Sequence, residues 1–188
     1  MELLETIKTR RSIRQYKTTP VDDGKIEAVL EAARWAPSWK NSQCWRFLVV
    51  RDDNIKNQLA DALKGSKEGA ANLADEAIRT APVVIVAYAE PGKSGYNRGE
   101  TATDKGDYWY MFDVALAMQN LMLAAHSLGL ATVCVGLFNA KKAADILAIP
   151  PEYRVVAMTP LGYPDETPEA RPRKELAEIV SYDKYGSV

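Results

Sequence analysis

Residues 109–128 read WYMFDVALAMQNLMLAAHSL, and Gly129-Leu130-Ala131-Thr132-Val133-Cys134-Val135-Gly136-Leu137 follows. Apolar side chains occupy the first segment on nearly every side: Met111, Phe112, Val114, Leu116, Met118, Leu121, Met122 and Leu123. A helix without a wide polar face is buried, inside a domain or in an interface between subunits. Gly129 closes it, as a C-terminal glycine does. A strand over 131–135 is expected next, then Gly136. Helix, glycine stop, strand and second glycine form a backbone-rich ledge, because glycine lets a ligand approach the main chain closely. Read in isolation, the same piece is an ordinary helix–strand connection.

Working outward, Leu3, Leu4 and Ile7 share one face of a short helix over 1–10. Residues 13–17 read as extended. Pro20 and Asp22 open a second helix, with Ile26, Val29, Leu30 and Ala33 at spacings of three and four, and it stops at Pro37. A polar loop, 38–44, leads into a buried strand over 46–50. Helices are expected over 55–63 and 70–79, separated by Gly65 and Gly69. A core strand over 83–88 follows Pro82. The polar, glycine-containing stretch 91–106 reads as a mobile surface segment. Beyond the ledge come a helix over 141–147, a strand over 154–159, an extended stretch over 168–173 and a partly amphipathic element over 174–185. Strands and helices alternate, which points to an α/β or α+β fold. No repeat or internal boundary interrupts 1–188, so one domain is expected.

Composition narrows the function. The 188 residues are 47% hydrophobic and 26% charged, with a formal net charge of −1, a globular profile. A nucleic-acid binder would show a basic excess or a basic stripe. No apolar run approaches the roughly 20 residues a membrane helix needs. The N-terminus has no basic segment followed by an apolar one, so no signal peptide is expected and the cytoplasm is the expected compartment. Two cysteines, Cys44 and Cys134, and one histidine, His126, leave no Cys/His cluster for a metal.

Three arginines nevertheless crowd into Arg10-Arg11-Ser12-Ile13-Arg14. A solvated surface, a nucleic-acid patch and a pocket for one phosphate compete as explanations. Guanidinium forks make strong charge-assisted bonds to phosphate, and Arg171-Pro172-Arg173 offers a second basic pair. If the chain ends meet, one phosphate has three or four partners. The loop Pro37-Ser38-Trp39-Lys40-Asn41-Ser42-Gln43-Cys44 adds amides and an indole, suited to a flat heterocycle with mixed hydrogen-bonding edges, or is simply a polar turn.

Taken together and in order, "RRSIRQY", "APSWKNSQCW", "FDVALAMQNLMLAAHSLGL" leading to "ATVCVG", "GYP" and "RPRKELAEIVSYDKYG" resemble the FMN-dependent nitroreductase family of small single-domain flavin oxidoreductases. The resemblance runs from about residue 2 to 185. It implies an α+β nitroreductase-like fold, a central antiparallel-rich sheet flanked by helices, in an intertwined homodimer with FMN at the interface. It implies hydride transfer from NADH or NADPH to the flavin, then to a nitroaromatic, quinone or other small acceptor in a ping-pong cycle.

Carried over by position, Arg10, Arg11, Ser12 and Arg14 match the segment that holds the FMN phosphate and ribityl chain, and Arg171 and Arg173 the basic pair at the same phosphate. Pro37, Ser38, Trp39 and Asn41, with Gln43 beside them, match the loop laid over the partner's flavin. Cys134, Val135 and Gly136 match the ledge where a main-chain N–H faces flavin N5, and Asn72 falls near a position contacting the pyrimidine edge. No catalytic side chain is implied, since flavin N5 carries the hydride. Cys44 stands where the family has proline and reads as a buried filler. The Cys134 side chain reads as core, and His126 as a capping or packing residue. Specialised relatives (a reductive dehalogenase, a flavin-fragmenting enzyme, a dehydrogenase) and a flavin-binding electron-delivery protein with little turnover are the alternative readings.

Overall fold

The computed structural model describes residues 2–63, 72 and 74–186. In chain order its elements are α1 (Leu3–Thr9), α2 (Asp23–Arg34), β1 (Trp45–Val50), α3 (Asp53–Ala60), α4 (Asp75–Thr80) and β2 (Val83–Ala89). Next come a two-residue ladder, β3 (Tyr96–Asn97) with β4 (Glu100–Thr101), then α5 (Trp109–Ser127), β5 (Ala131–Thr132), α6 (Ala140–Ile146) and β6 (Arg154–Gly162). The expected Gly65 and Gly69, and the start of the helix expected at Ala70, lie outside the described residues.

The main sheet has the order β1–β2–β6–β5, with every pairing antiparallel. Its central strand β2 explains the layering. Successive side chains of a strand point to opposite faces. Val83, Ile85, Ala87 and Ala89 enter one core with α2 and α5, among them Val29, Ala33, Val114 and Leu121. Val84 and Val86 enter the other, with Leu59, Ile78 and Ala143 from α3, α4 and α6. Both faces are covered, so the strand sequence is continuously apolar rather than alternating. Each fully buried Val, Ile or Leu contributes about 1.5–3 kcal/mol relative to exposure.

Local signals place the helices. Asp22 accepts from Gly24 N–H (2.9 Å), Asp52 from Ile55 N–H (2.9 Å) and Asn139 from Lys142 N–H (3.1 Å), each a side-chain cap on otherwise unpaired first-turn donors. At the far end of α5, Gly129 adopts φ +76°, and Leu130 N–H returns to the Ala125 carbonyl (2.9 Å). This is the left-handed glycine stop read from the sequence.

The N-terminal segment joins the sheet at its β5 edge. Ser12 bridges Thr132 in parallel, and Ile13 N–H donates to the Thr132 carbonyl (3.0 Å). Lys17 N–H donates to Tyr163 (3.0 Å) and Asp165 N–H to Gln15 (2.9 Å).

Several expectations need correction. The strand expected over 131–135 covers only Ala131–Thr132, with Val135 rejoining the sheet as a single bridge to Met158. The stretch 91–106 is not a free surface segment: Ser94 is 1% exposed, and the β3–β4 ladder follows it. The element expected over 174–185 is one 3₁₀ turn, Leu176–Glu178, in an exposed tail. The apolar face of α1 is formed as expected yet faces outward, with Leu3, Leu4 and Ile7 exposed.

A Cβ built on Gly162 would lie 2.7 Å from Pro82 Cδ and 3.1 Å from Tyr16 Cδ1. Both neighbours are stiff rings in a packed region. Gly162→Ala is expected to lower stability by about 1–3 kcal/mol, read as a lower urea midpoint at unchanged slope.

Candidate functional site

The parallel bridge at Ser12 decides where the arginines go. Ile13 is buried with Tyr16, Ala77, Ala81 and Ala131, which anchors the segment. Arg10 leaves the end of α1 partly buried. Its guanidinium is held below its ordinary value first by burial, then by the like charges of Arg11 and Arg173, with the Cys134 thiol opposing. The Arg173 charge is therefore near enough to act on Arg10. Among the described residues Arg10 and Arg173 form no ion pair. Arg11 also bonds within the chain through one nitrogen. Its Nη1 turns back to the carbonyls of Lys8 (2.7 Å) and Arg10 (2.9 Å), capping the exposed C-terminal carbonyls of α1. Arg14 is placed through its backbone: its N–H and that of Gln15 (3.2 Å) both donate to the Glu166 carboxylate. Arg171 is exposed.

A cavity of about 450 Å³ opens between α1, the end of α5, β5 and the chain after β6, with Arg10, Arg11, His126 and Glu166 in its lining. His126 Nε2 lies 2.9 Å from Thr9 Oγ1, which ties α1 to α5. Burial, then Arg10 and Arg11, hold the imidazole below its ordinary value.

Beyond Ser12 lies the ledge. Cys134 is exposed, not core, because the chain leaves the ladder after Thr132. Val135 N–H donates to Met158 (2.8 Å) and its carbonyl accepts from Met158 N–H (2.9 Å). That N–H is spent within the sheet, which leaves Gly136 N–H as the ledge donor. A Cβ built on Gly136 would meet nothing within 4 Å, so the ledge opens outward. Asn72 sits beside it: its Oδ1 accepts from Ala74 N–H (3.0 Å) and its Nδ2 approaches the Leu137 carbonyl (3.4 Å).

The loop containing Pro37, Ser38, Trp39, Asn41 and Gln43 lies elsewhere. Trp39 N–H donates to Asp113 Oδ2 (3.1 Å), Trp39 Nε1–H to the Tyr96 carbonyl (3.0 Å) and Lys40 Nζ to Asn97 (2.9 Å). The Trp39 indole meets Trp109 edge-on, with centroids 5.1 Å apart. Cys44 is buried as expected, and burial, then Asp113, pushes its thiol up to about 11. The loop packs on the start of α5, whereas Arg10 lies by His126 near its end. The thirteen positions from Asp113 to His126 rise about 20 Å at about 1.5 Å per residue. One chain carries both sets of residues without joining them.

Sequence reading missed Asp113 and Glu166. Asp113 had a signal: it is the only carboxylate in the 19-residue α5, and a lone charge in an apolar helix calls for partners. Glu166 had none, as it lies in an ordinary polar stretch.

Comparison with known proteins agrees with this architecture. The model described as Nitroreductase family matches residues 7–163. A nitroreductase family protein of Clostridium novyi NT is 36% identical, over 100% of this chain and 96% of the other, with a TM-score of 0.77. The NADPH:FMN oxidoreductase of Vibrio harveyi, solved with NAD+, is 25% identical over 99% of this chain and 79% of that one, with a TM-score of 0.82. An NADH dehydrogenase of Thermus thermophilus is 30% identical, with 91% of each chain covered.

His126 makes the cluster pH-sensitive. Its folded-state pKa lies below the ordinary 6.5, so the unfolded chain takes up the proton first. The folded state therefore keeps this contribution above pH 6.5 and loses it as pH falls through the depressed value. His126→Gln should lose less melting temperature than wild type between about pH 7 and about pH 5. Parallel melting curves would remove His126 as the source.

Proposed function

The chain belongs to the nitroreductase family, and from that premise we propose that it is an FMN-dependent oxidoreductase that takes hydride from NADH or NADPH and reduces a small acceptor. A nitroaromatic or quinone is the acceptor class this reading favours. The observation that carries it is the cavity of about 450 Å³ lined by Arg10 and Arg11, with the Arg173 charge near enough to act on Arg10 and, among the described residues, no ion pair to either Arg10 or Arg173. Unanswered guanidinium groups from opposite ends of a chain suit a dianion, and the FMN phosphate is one.

The neighbouring groups fit the rest of that cofactor. The Ser12 hydroxyl and Arg14 lie along the same segment, next to the phosphate end. Gly136 N–H offers a donor on an open ledge, and Asn72 stands at the Leu137 side of it. Bound there, FMN would supply the two-electron chemistry itself. The chain's work is then to hold the phosphate with Arg10 and Arg173, to present the Gly136 N–H, and to place positive charge beside the ring system. That charge favours an anionic reduced cofactor, and no side chain is required as acid or base.

Pairing with a second copy completes the reading. The 37–43 loop lies about 20 Å along α5 from the arginines, so it is assigned to the flavin of a partner subunit. The exposed Leu3, Leu4 and Ile7 of α1 and Leu176, Ile179 and Tyr182 of the tail give a homodimer apolar surface to bury. No described helix is long and apolar enough to cross a membrane, and both cysteines are free. The cytoplasm is the compartment we assign.

Two measurements test this. Purified protein is expected to show flavin absorption that bleaches anaerobically with NADH or NADPH. Gly136→Val has room in the chain itself, so it should fold normally and lose flavin, whereas Arg10→Ala with Arg173→Ala should weaken FMN by about tenfold or more for each lost charged bond. A double variant with undiminished flavin content would overturn the phosphate assignment.

A further inference from the structure

We propose that Asp113 is a positioning residue that holds the 38–43 loop and the 94–101 ladder as one unit, and that this unit sets how an acceptor reaches the flavin. The second half of this statement rests on the flavin reading above.

Asp113 is 1% exposed on an apolar helix. A buried carboxylate is tolerated only where donors converge on it. Its Oδ2 accepts from Trp39 N–H (3.1 Å) and from the Ser94 hydroxyl, with Ser42 Oγ at 3.5 Å and Cys44 Sγ at 3.9 Å further out. The two firm bonds come from different stretches of chain and share a single oxygen atom. Asp113 is thus the node between them.

The loop has reason to need a node. Lys40, Asn41 and Gln43 adopt φ +46°, +55° and +45°. Three side-chain-bearing residues in the left-handed region are unfavourable, and such a loop keeps its shape only when its surroundings impose it. Part of the restraint is internal: Ser38 Oγ accepts from Gln43 N–H (3.0 Å), and Gln43 Nε2 donates to Asn41 (3.2 Å). The rest comes from the ladder, through Trp39 on the Tyr96 carbonyl and Lys40 on Asn97. The ladder in turn is fixed by Ser94 on Asp113. Remove the carboxylate and Trp39 N–H loses its acceptor while the ladder loses its anchor, so both parts loosen together.

The test uses the full-length flavin-loaded protein and two readouts. Trypsin can cut after Lys40 in the loop and after Arg98 in the ladder, both exposed, and cutting after Lys141 on α6 serves as the reference for global opening. In Asp113→Ala, cutting at Lys40 and Arg98 should accelerate together by about tenfold relative to Lys141, as local opening becomes easier. Asp113→Asn keeps an acceptor oxygen and should restore most of the protection. Ser94→Ala, which cuts only the ladder bond, should raise the acceptor KM by about fivefold or more while anaerobic flavin reduction by NAD(P)H stays within about twofold.

Cut sites that do not move relative to Lys141 would overturn the holding role. Faster local cutting with an unchanged acceptor KM would overturn the link to acceptor access. If the wild type binds no flavin, the functional reading fails while the proteolysis still decides the role of Asp113. If Asp113→Ala does not fold, Asp113→Asn and Ser94→Ala carry both readouts.

Discussion

The burial of β2 on both faces is the constraint from which the rest of the architecture follows. A strand with Val83, Ile85 and Ala87 on one side and Val84 and Val86 on the other needs helices above and below it. Its edges must be paired on both sides, and β1 and β6 do this. β6 then offers its outer edge to a β5 only two residues long. The N-terminal segment then pairs with the outer edge of β5 at Ser12 and with the chain beyond β6 at Tyr16. The position of Arg10 is thus a consequence of sheet completion: the guanidinium group sits where it does because Ile13 must be buried and Thr132 must be paired.

Much of this was legible, for identifiable reasons. The apolar run at Val83 and the lone apolar helix ending at Gly129 are strong signals, since little but core burial produces them. Capping residues Asp22 and Asn139 mark helix starts locally. The failures share one cause, that polarity alone does not report burial. Ser94 sits in a polar, glycine-containing stretch and is buried because Asp113, far off in sequence, reaches it. Cys134 follows three apolar or β-branched residues and is nevertheless exposed, because the ladder ends at Thr132. In the site, that the Arg173 charge acts on Arg10 followed from motif order. The turning back of Arg11 onto α1 did not, because helix-end carbonyls compete for the same donors as a ligand. Nor did the capture of Val135 N–H by Met158, which depends on a single irregular bridge.

The arginine cluster also shapes the energetics. Arg10 is disfavoured twice, by burial and by two like charges. His126 is pushed toward neutrality by burial first and then by Arg10 and Arg11. On the proposed reading an anion would offset these like charges, and whatever binds the native state alone adds its binding free energy to stability. Glu166 Oε1 accepts from the Arg14 and Gln15 N–H groups. This fixes the start of the tail against the N-terminal segment.

The arrangement along α5 gives the last step. Its N-terminal end carries Trp109 and Asp113, and with them the loop; its C-terminal end carries His126, and with it the arginines. A rigid helix keeps these ends about 20 Å apart. On the proposed reading, a two-fold pairing resolves this at no cost in complexity, because each copy then lends its loop to the other's arginines and each site is built twice from one sequence. The same proposed pairing would also cover Met111 and Phe112, which are exposed on α5. A helix apolar all round has two faces to bury, and one chain supplies a core for only one of them.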